Sequence, residues 1–334
     1  MHHQVEHQTG LIILPNDDTK GLAPAVVKAL RGLRDNNPSL QRKLNLDILD
    51  SSSNDSSNAS SPVDESLSYW NRYQELVIVS ADDSSNYEFV GVNFGGLMVR
   101  LVNVVPFFQI VEEEKFSCLQ TLNFGGTDIG MENLLQGIQL LSDITKSSIQ
   151  GLYLGGCGIG CRKGANHLSK LLGLLPNLKT LDLRYNDLVG ENLVDLESVL
   201  SSYALSQLKI LHLEGNMIKC EGAAAIGRIL ASTNSNLQEL YLGANQIGSE
   251  GIRSLAEVGL RKNTNLNKLY LEGNCIGDVG AIALRDVLLD QLNRQCKVLE
   301  QLYVDNNGLG KEAATSLGRA VHSDTMIDGS LFDS

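Results

Sequence analysis

A chain of 334 residues that is 43% hydrophobic and 20% charged has a globular composition, and its length admits one large domain or two ordinary ones. Thirty-nine acidic residues against 27 Lys and Arg leave a net charge of −12. That balance argues against a phosphate-binding surface, and so against nucleic acid, and favours a basic protein partner. No apolar run approaches the ~20 residues of a membrane helix, and the six cysteines lack a paired CxxC motif, which fits a reducing compartment.

Taken in chain order, the start reads Met1-His2-His3-Gln4, and its one apolar cluster, Leu11–Leu14, is too short for the core of a signal peptide. A soluble intracellular protein is expected, in the cytoplasm or nucleus. Leu11-Ile-Ile13-Leu-Pro-Asn16 fits a Leu-x-Leu-x-x-Asn frame that returns farther along. A helix is expected from Pro24 to Arg34, with Pro24 suited to a first turn. Leu44-Asn-Leu46 then opens another copy on one reading. Residues 1–49 are therefore expected to be an N-terminal cap, with degenerate repeats inside it as one reading. Residues 50–66, beginning Asp50-Ser-Ser-Ser-Asn-Asp55, have nothing to bury and read as a disordered insertion. Over 67–118 two readings stay open. Residues 76–79 and 89–94 can pair as a β-hairpin cap. Alternatively Val92-Asn-Phe94-Gly-Gly, 30 residues before Leu122-Asn-Phe124-Gly-Gly, marks a degenerate repeat.

From Leu119 the pattern is regular. Leu178-Lys-Thr-Leu181-Asp-Leu183-Arg-Tyr-Asn186 recurs as Leu208…Leu211-His-Leu213-Glu-Gly-Asn216, Leu237…Leu240-Tyr-Leu242-Gly-Ala-Asn245, Leu266…Leu269-Tyr-Leu271-Glu-Gly-Asn274 and Leu299…Leu302-Tyr-Val304-Asp-Asn-Asn307. Ile149…Leu152-Tyr-Leu154-Gly-Gly-Cys157 and Leu119…Leu122-Asn-Phe124-Gly-Gly-Thr127 keep the frame upstream. The first positions (119, 149, 178, 208, 237, 266, 299) step by 30, 29, 30, 29, 29 and 33 residues. In each copy the Leu-x-Leu pair alternates with period two, so both leucines face a core and the residue between them faces out. Such short strands bury their leucines only by stacking on one another as a parallel sheet. The Asn column, Asn186, Asn216, Asn245, Asn274 and Asn307, turns the chain away from the sheet, where its amides can satisfy backbone groups left open by the turn. Cys157 stands in that column as a weaker substitute. Helices follow each turn, as in Gly222–Leu230 and Gly280–Leu288, with apolar residues at helical spacing. Seven repeats are expected over 119–321, then a polar tail over 322–334.

The frame L-x-x-L-x-L-x-x-N/C-x-L is the leucine-rich-repeat signature. With a helix in every copy and a period near 29, the chain resembles the ribonuclease-inhibitor-like leucine-rich-repeat superfamily. The resemblance implies an α/β leucine-rich-repeat solenoid, a horseshoe with the parallel β-sheet on its concave face and the α-helices on its convex face. It also implies a protein-binding scaffold. That superfamily includes ribonuclease inhibitor, the Ran GTPase-activating proteins and the sensing regions of NOD-like receptors. Ribonuclease inhibitor is much richer in cysteine, and no P-loop of the NOD-like receptor kind precedes the repeats here. A Ran-GTPase-activator-like regulator of a small GTPase is the alternative, although such proteins end in a long acidic tail and this chain stops at Phe332-Asp333-Ser334. Arg162 and Lys163 are the nearest basic edge residues in that case, and are more simply a solvated loop.

The outward strand positions form columns. The central one reads Asn123, Tyr153, Asp182, His212, Tyr241, Tyr270, Tyr303, and the next reads Gly125, Gly155, Arg184, Glu214, Gly243, Glu272, Asp305. Four of nine tyrosines thus share one structural position, and tyrosine is enriched at binding hot spots. Tyr153, Asp182, Arg184, His212, Glu214, Tyr241, Tyr270, Glu272, Tyr303 and Asp305 are therefore the candidate partner-binding residues, with Tyr241, Tyr270, Tyr303, Glu272 and Asp305 the strongest. The competing view is that the rings merely stack within the sheet. Catalysis is not expected, because the chain lacks a G-x-S-x-G elbow, a P-loop and a dinucleotide fingerprint. Cys157, Cys161 and His167 lie near one another, but no second cysteine pair completes a tetrahedral metal site. No cofactor, metal, membrane or small-molecule substrate is expected.

Overall fold

Period-two leucines and 3.6-period helices at a 29-residue spacing dictate alternation of one short strand with one helix, and that alternation is present. In the computed structural model, residues 78–80, 87–89, 91–93, 104–113, 119–294 and 299–320 are described. The expectations for residues 1–77, including the cap and the Ser-rich insertion, and for the tail from 322 lie outside them. The chain forms two compact units, 1–151 and 152–334.

In the first unit β1 (Ile78–Ser80) pairs antiparallel with β2 (Tyr87–Phe89), Val79 opposite Glu88. Strand β3 (Gly91–Asn93) then pairs in parallel with β4 (Thr121–Asn123), placing Val92 opposite Leu122 and Asn93 opposite Asn123. Residues 67–118 thus contain both an antiparallel pair and a repeat-type strand. Between β3 and β4 runs α1 (Val105–Glu113), followed after β4 by α2 (Met131–Leu140) and α3 (Asp143–Ser148). Phe108 of α1 is fully buried and lies where a side chain on Gly137 of α2 would stand, so glycine lets the two helices close. Ser142 caps α3 by accepting the Thr145 N–H, and its own N–H donates to Glu112 at 2.8 Å.

Strand β5 (Gly151–Tyr153) is followed in the second unit by α4 (Arg162–Leu172), β6 (Thr180–Asp182), α5 (Gly190–Leu200) and β7 (Ile210–His212). Then come α6 (Lys219–Ala231), β8 (Glu239–Tyr241), α7 (Gly248–Ser254), β9 (Lys268–Tyr270), α8 (Gly277–Asn293), β10 (Gln301–Tyr303) and α9 (Lys311–Ala320). The strands lie in sequence order, parallel and in register from β6 to β10: Leu181, Leu211, Leu240, Leu269 and Leu302 stand side by side. All five are essentially inaccessible, as are Leu183, Leu213, Leu242, Leu271 and Val304 two residues on. The unit is an α/β solenoid whose core lies between the sheet and the helical layer.

The asparagine column closes each turn. Asn274 Nδ2 donates to Leu271 O of its own strand (2.9 Å) and Leu242 O of the strand before (2.8 Å), and its Oδ1 accepts from Asn245 N (2.9 Å) and Ile247 N (3.4 Å). Asn186, Asn216 and Asn307 repeat the arrangement. Cys157, at the head of the column, donates its N–H to Asn186 Oδ1 at 2.8 Å. One rung differs. Asn245 makes its donor contacts, but its buried Oδ1 has no hydrogen-bond partner. The preceding turn takes another path: Met217 bridges to Val189 and lacks the positive φ of its counterparts Asp187, Gln246 and Cys275. The helical layer has its own irregularity, a π-helical stretch at Leu255–Leu260 directly after α7. There Gly259 packs on Gly227 of α6 so closely that a Cβ on Gly259 would stand 2.9 Å from Gly227 Cα.

Candidate functional site

Parallel register places each outward residue of a strand beside its counterpart on the next, at the ~4.8 Å spacing of a sheet. Flat rings at one position must then stack. His212 and Tyr241 have ring centroids 4.1 Å apart, Tyr241 and Tyr270 4.1 Å, and Tyr270 and Tyr303 4.4 Å, with interplanar angles of 19°, 10° and 5°. Within the sheet the competing view is correct as far as it goes: the rings do stack on one another. Stacking covers their faces and leaves Tyr241, Tyr270 and Tyr303 partly exposed on the side of the sheet away from the helices. Tyr153 stands apart from this ladder, separated from Tyr241 by the strands that carry Asp182 and His212.

The ladder is anchored along one side by Glu239. Its Oε2 accepts from the Tyr241 hydroxyl at 2.8 Å, and its Oε1 pairs with Lys268 Nζ at 2.9 Å. Burial raises the Glu239 pKa, but the bonds from Lys268 and Tyr241 outweigh it and hold the carboxyl below the usual range. The same contacts hold Lys268 above its ordinary value through the bond to Glu239, and burial followed by that bond pushes the Tyr241 phenol up. Tyr270 is also raised by burial. These phenols stay protonated at neutral pH.

On the other side the candidate residues divide into two groups. Arg184 Nε lies 2.9 Å from both Oδ atoms of Asp182, its NH2 is 3.1 Å from His212 Nδ1, and that nitrogen is 3.1 Å from Glu214 Oε1. Asp182, Arg184 and His212 are 5%, 6% and 8% exposed. Expected as projecting contacts, they are committed to each other instead: Arg184 pairs with Asp182 two residues back on its own strand and reaches His212 and Glu214 on the next. They remain part of the face as shape and charge, not as free anchors. The glycines beside them are not open either. A side chain at Gly155 would meet Arg184 Cγ at 2.9 Å, so the arginine stem occupies that room.

Glu272 and Asp305, with Glu214, form the second group beside the tyrosines, and Gly243 stands between the two glutamates. A Cβ there would lie 3.5 Å from Glu272 Oε2 and 3.9 Å from Glu214 Cγ, ordinary contact distances. Burial first, then the nearby Asp305 and Glu214, push the Glu272 carboxyl above the usual range. An acid whose folded pKa is raised contributes stability below its unfolded pKa and loses it as pH rises through the folded value. Glu272→Gln is therefore expected to raise the melting temperature near pH 7 and to leave it unchanged near pH 4. Thermal melts at the two pH values check the difference.

Repeat patterning missed Tyr185. It occupies the αL position filled by glycine at Gly126, Gly156, Gly215 and Gly273, with φ 53°, and is half exposed. Its ring covers Gly215. The signal was a tyrosine in an otherwise small-residue column. Cys161 caps α4, its Sγ 3.3 Å from the Gly164 N–H it accepts. Arg162 and Lys163 are exposed in the first turn of α4. Among the described residues no cluster of three His, Cys, Asp or Glu side chains could hold a metal ion, and no helix is long and apolar enough to cross a membrane.

Stacked strand–turn–helix units with an asparagine ladder along their turns define a class of repeat protein, and comparison with known families agrees. The leucine-rich-repeat family model matches residues 175–191, 233–256 and 262–284. The chain carries leucine-rich repeats of that family. No curated protein sequence matches it. Similar solved structures include leiomodin-1 actin-binding site 2, 19% identical over 44% of this chain and 80% of that one, with a TM-score of 0.34. The leucine-rich-repeat-containing protein LegL7 from Legionella pneumophila is 20% identical over 70% of this chain and 80% of its own, TM-score 0.38. An internalin from Listeria monocytogenes is 17% identical over 66% and 82%, TM-score 0.28.

Proposed function

We propose that this chain is a non-catalytic scaffold of the ribonuclease-inhibitor-like type that holds a basic protein partner against the strand face of its repeats, in the cytoplasm or nucleus. The observation that carries this reading is the ladder of His212, Tyr241, Tyr270 and Tyr303, whose three tyrosines are partly exposed beside strand-centre leucines that are buried. Aromatic rings with polar tips bury large area at little entropic cost, and here stacking has already fixed their rotamers. The net charge of −12 and the acids beside the ladder favour a cationic partner. Affinity capture with the full chain, repeated with Tyr241, Tyr270 and Tyr303 replaced together by alanine, tests it. A partner retained by the native chain and lost by the variant supports the scaffold. Equal retention by both defeats it.

A further inference from the structure

In a solenoid each repeat leans only on its neighbours, so the stack bends where the bonding between two repeats is poorest. At four seams of the second unit, β5/β6, β6/β7, β8/β9 and β9/β10, the asparagine Oδ1 of the later repeat accepts two N–H groups from the turn of the earlier one. The β7/β8 seam has neither bond, and Asn245 Oδ1 is buried without a partner. The turn opposite it is the altered one. Met217 bridges Val189 instead of taking the left-handed conformation of Asp187, Gln246 and Cys275, whose φ values are 55°, 55° and 56°.

The same seam is well tied at its other edge, where the strands begin. Asn263 and Asn265 donate across it to Leu230 O and Ser235 O, both at 2.9 Å. In the helical layer the π-helical stretch brings Gly259 onto Gly227 of α6, backbone against backbone. Bonds at one edge that hold and bonds at the other that are missing are the ingredients of a hinge.

We propose that the repeat stack is hinged between β7 and β8. The repeats on either side swing apart at the turn edge and pivot on the strand-start edge and the Gly227–Gly259 contact. Two bonds still cross the turn edge and limit the swing: Lys219 N–H to Asn245 O at 3.0 Å and Asn245 Nδ2 to Leu213 O at 2.9 Å. On the strand face the seam runs between two bonded blocks. Asp182, Arg184, His212 and Glu214 lie before it, and Glu239, Tyr241 and Lys268 after it. The His212 and Tyr241 rings stack across it with the widest tilt of the ladder, 19° against 10° and 5°. Swinging changes the angle between the blocks and so the curvature offered to a partner. That consequence rests on the scaffold reading, whereas the hinge itself does not.

Amide hydrogen exchange of the free full chain, followed residue by residue by NMR, tests the hinge without a partner. At the turn end, Leu213 and Gly215 donate across the seam to Tyr241 O and Gly243 O, as Leu242 and Ala244 do across the next seam to Tyr270 O and Glu272 O. The first pair is expected to show protection factors about tenfold lower than the second. At the start end, Gln238 and Glu239, bonded to Lys209 O, are expected to match Asn267 and Lys268, bonded to Gln238 O. Met217→Asn places a residue tolerant of positive φ at the altered turn. It is expected to raise protection of Leu213 and Gly215 about fivefold and leave Leu242 and Ala244 unchanged, a gain that general destabilisation does not produce. Equal protection of the two turn-end pairs in the native chain overturns the hinge. So does equally low protection at Gln238 and Glu239, which would mean a seam that parts along its whole length, or a Met217→Asn chain that exchanges like the native one. A face that binds no partner would leave all of these readings intact.

Discussion

Asn274→Ala is expected to destabilise the protein by about 3–4 kcal/mol, whereas Asn245→Ala, in the same column one repeat earlier, costs only about 1 kcal/mol. The difference follows from what each substitution leaves behind. Asn274 Oδ1 is the acceptor for the Asn245 and Ile247 N–H groups, and both are orphaned when it goes. A buried donor without a partner costs roughly 1–3 kcal/mol. Asn245 contributes donors only, since its Oδ1 has no partner. The carbonyls it serves, Leu213 O and Leu242 O, keep a second donor from Asn216 and Asn274. Its removal therefore leaves no group bare. Against a total of about 5–15 kcal/mol for a typical domain, the larger loss is severe. In a stack where each repeat leans on its neighbours it should spread beyond its own turn. Urea titrations of both variants check the ordering, and equal losses would mean that the ladder does not carry the turns.

Replacing Tyr241, Tyr270 and Tyr303 together by alanine is expected to weaken partner binding at least 100-fold, on the order of 3 kcal/mol. Hot-spot tyrosines commonly cost more than 2 kcal/mol each at the centre of an interface, but their losses are not additive. The rings also support the sheet, at about 0.5–1.5 kcal/mol per stacked pair, so the variant must be shown to remain folded by circular dichroism. Phenylalanine at all three positions provides the second arm. It keeps the ladder and removes the hydroxyls, including the one that Tyr241 donates to Glu239. Binding is expected to fall only several-fold. Native affinity in the folded alanine variant would remove the tyrosines from the interface.

The fold was legible because its determinants are periodic. A leucine at each strand centre from β4 to β10 and an asparagine at five of the seven turns report the sheet and the ladder directly, since each repeat obeys the same local geometry. The stacking of Tyr241, Tyr270 and Tyr303 is likewise implied by equal positions in parallel strands. Lateral pairing was not legible. Nothing in the repeat frame says that Arg184 turns sideways onto Asp182 and His212 and buries all three. That outcome depends on side-chain reach between strands, and it narrows the ten expected contact residues toward the tyrosines and the acids beside Gly243. Nor does the frame show that an arginine stem covers Gly155 and a tyrosine ring covers Gly215. The π-helical stretch at Leu255–Leu260 and the altered turn after Asn216 also escape a pattern that counts residues, because both change the path of the chain without changing the period.

Hydrogen–deuterium exchange of the full chain with and without a captured partner tests the central claim most directly. Binding on the strand face predicts slowed exchange in segments that carry β7 to β10 and their following turns, including 210–216, 239–245, 268–274 and 301–307, with α6, α7 and α8 unchanged. Protection confined to the helical layer, with the four strand segments exchanging as in the free chain, would contradict it.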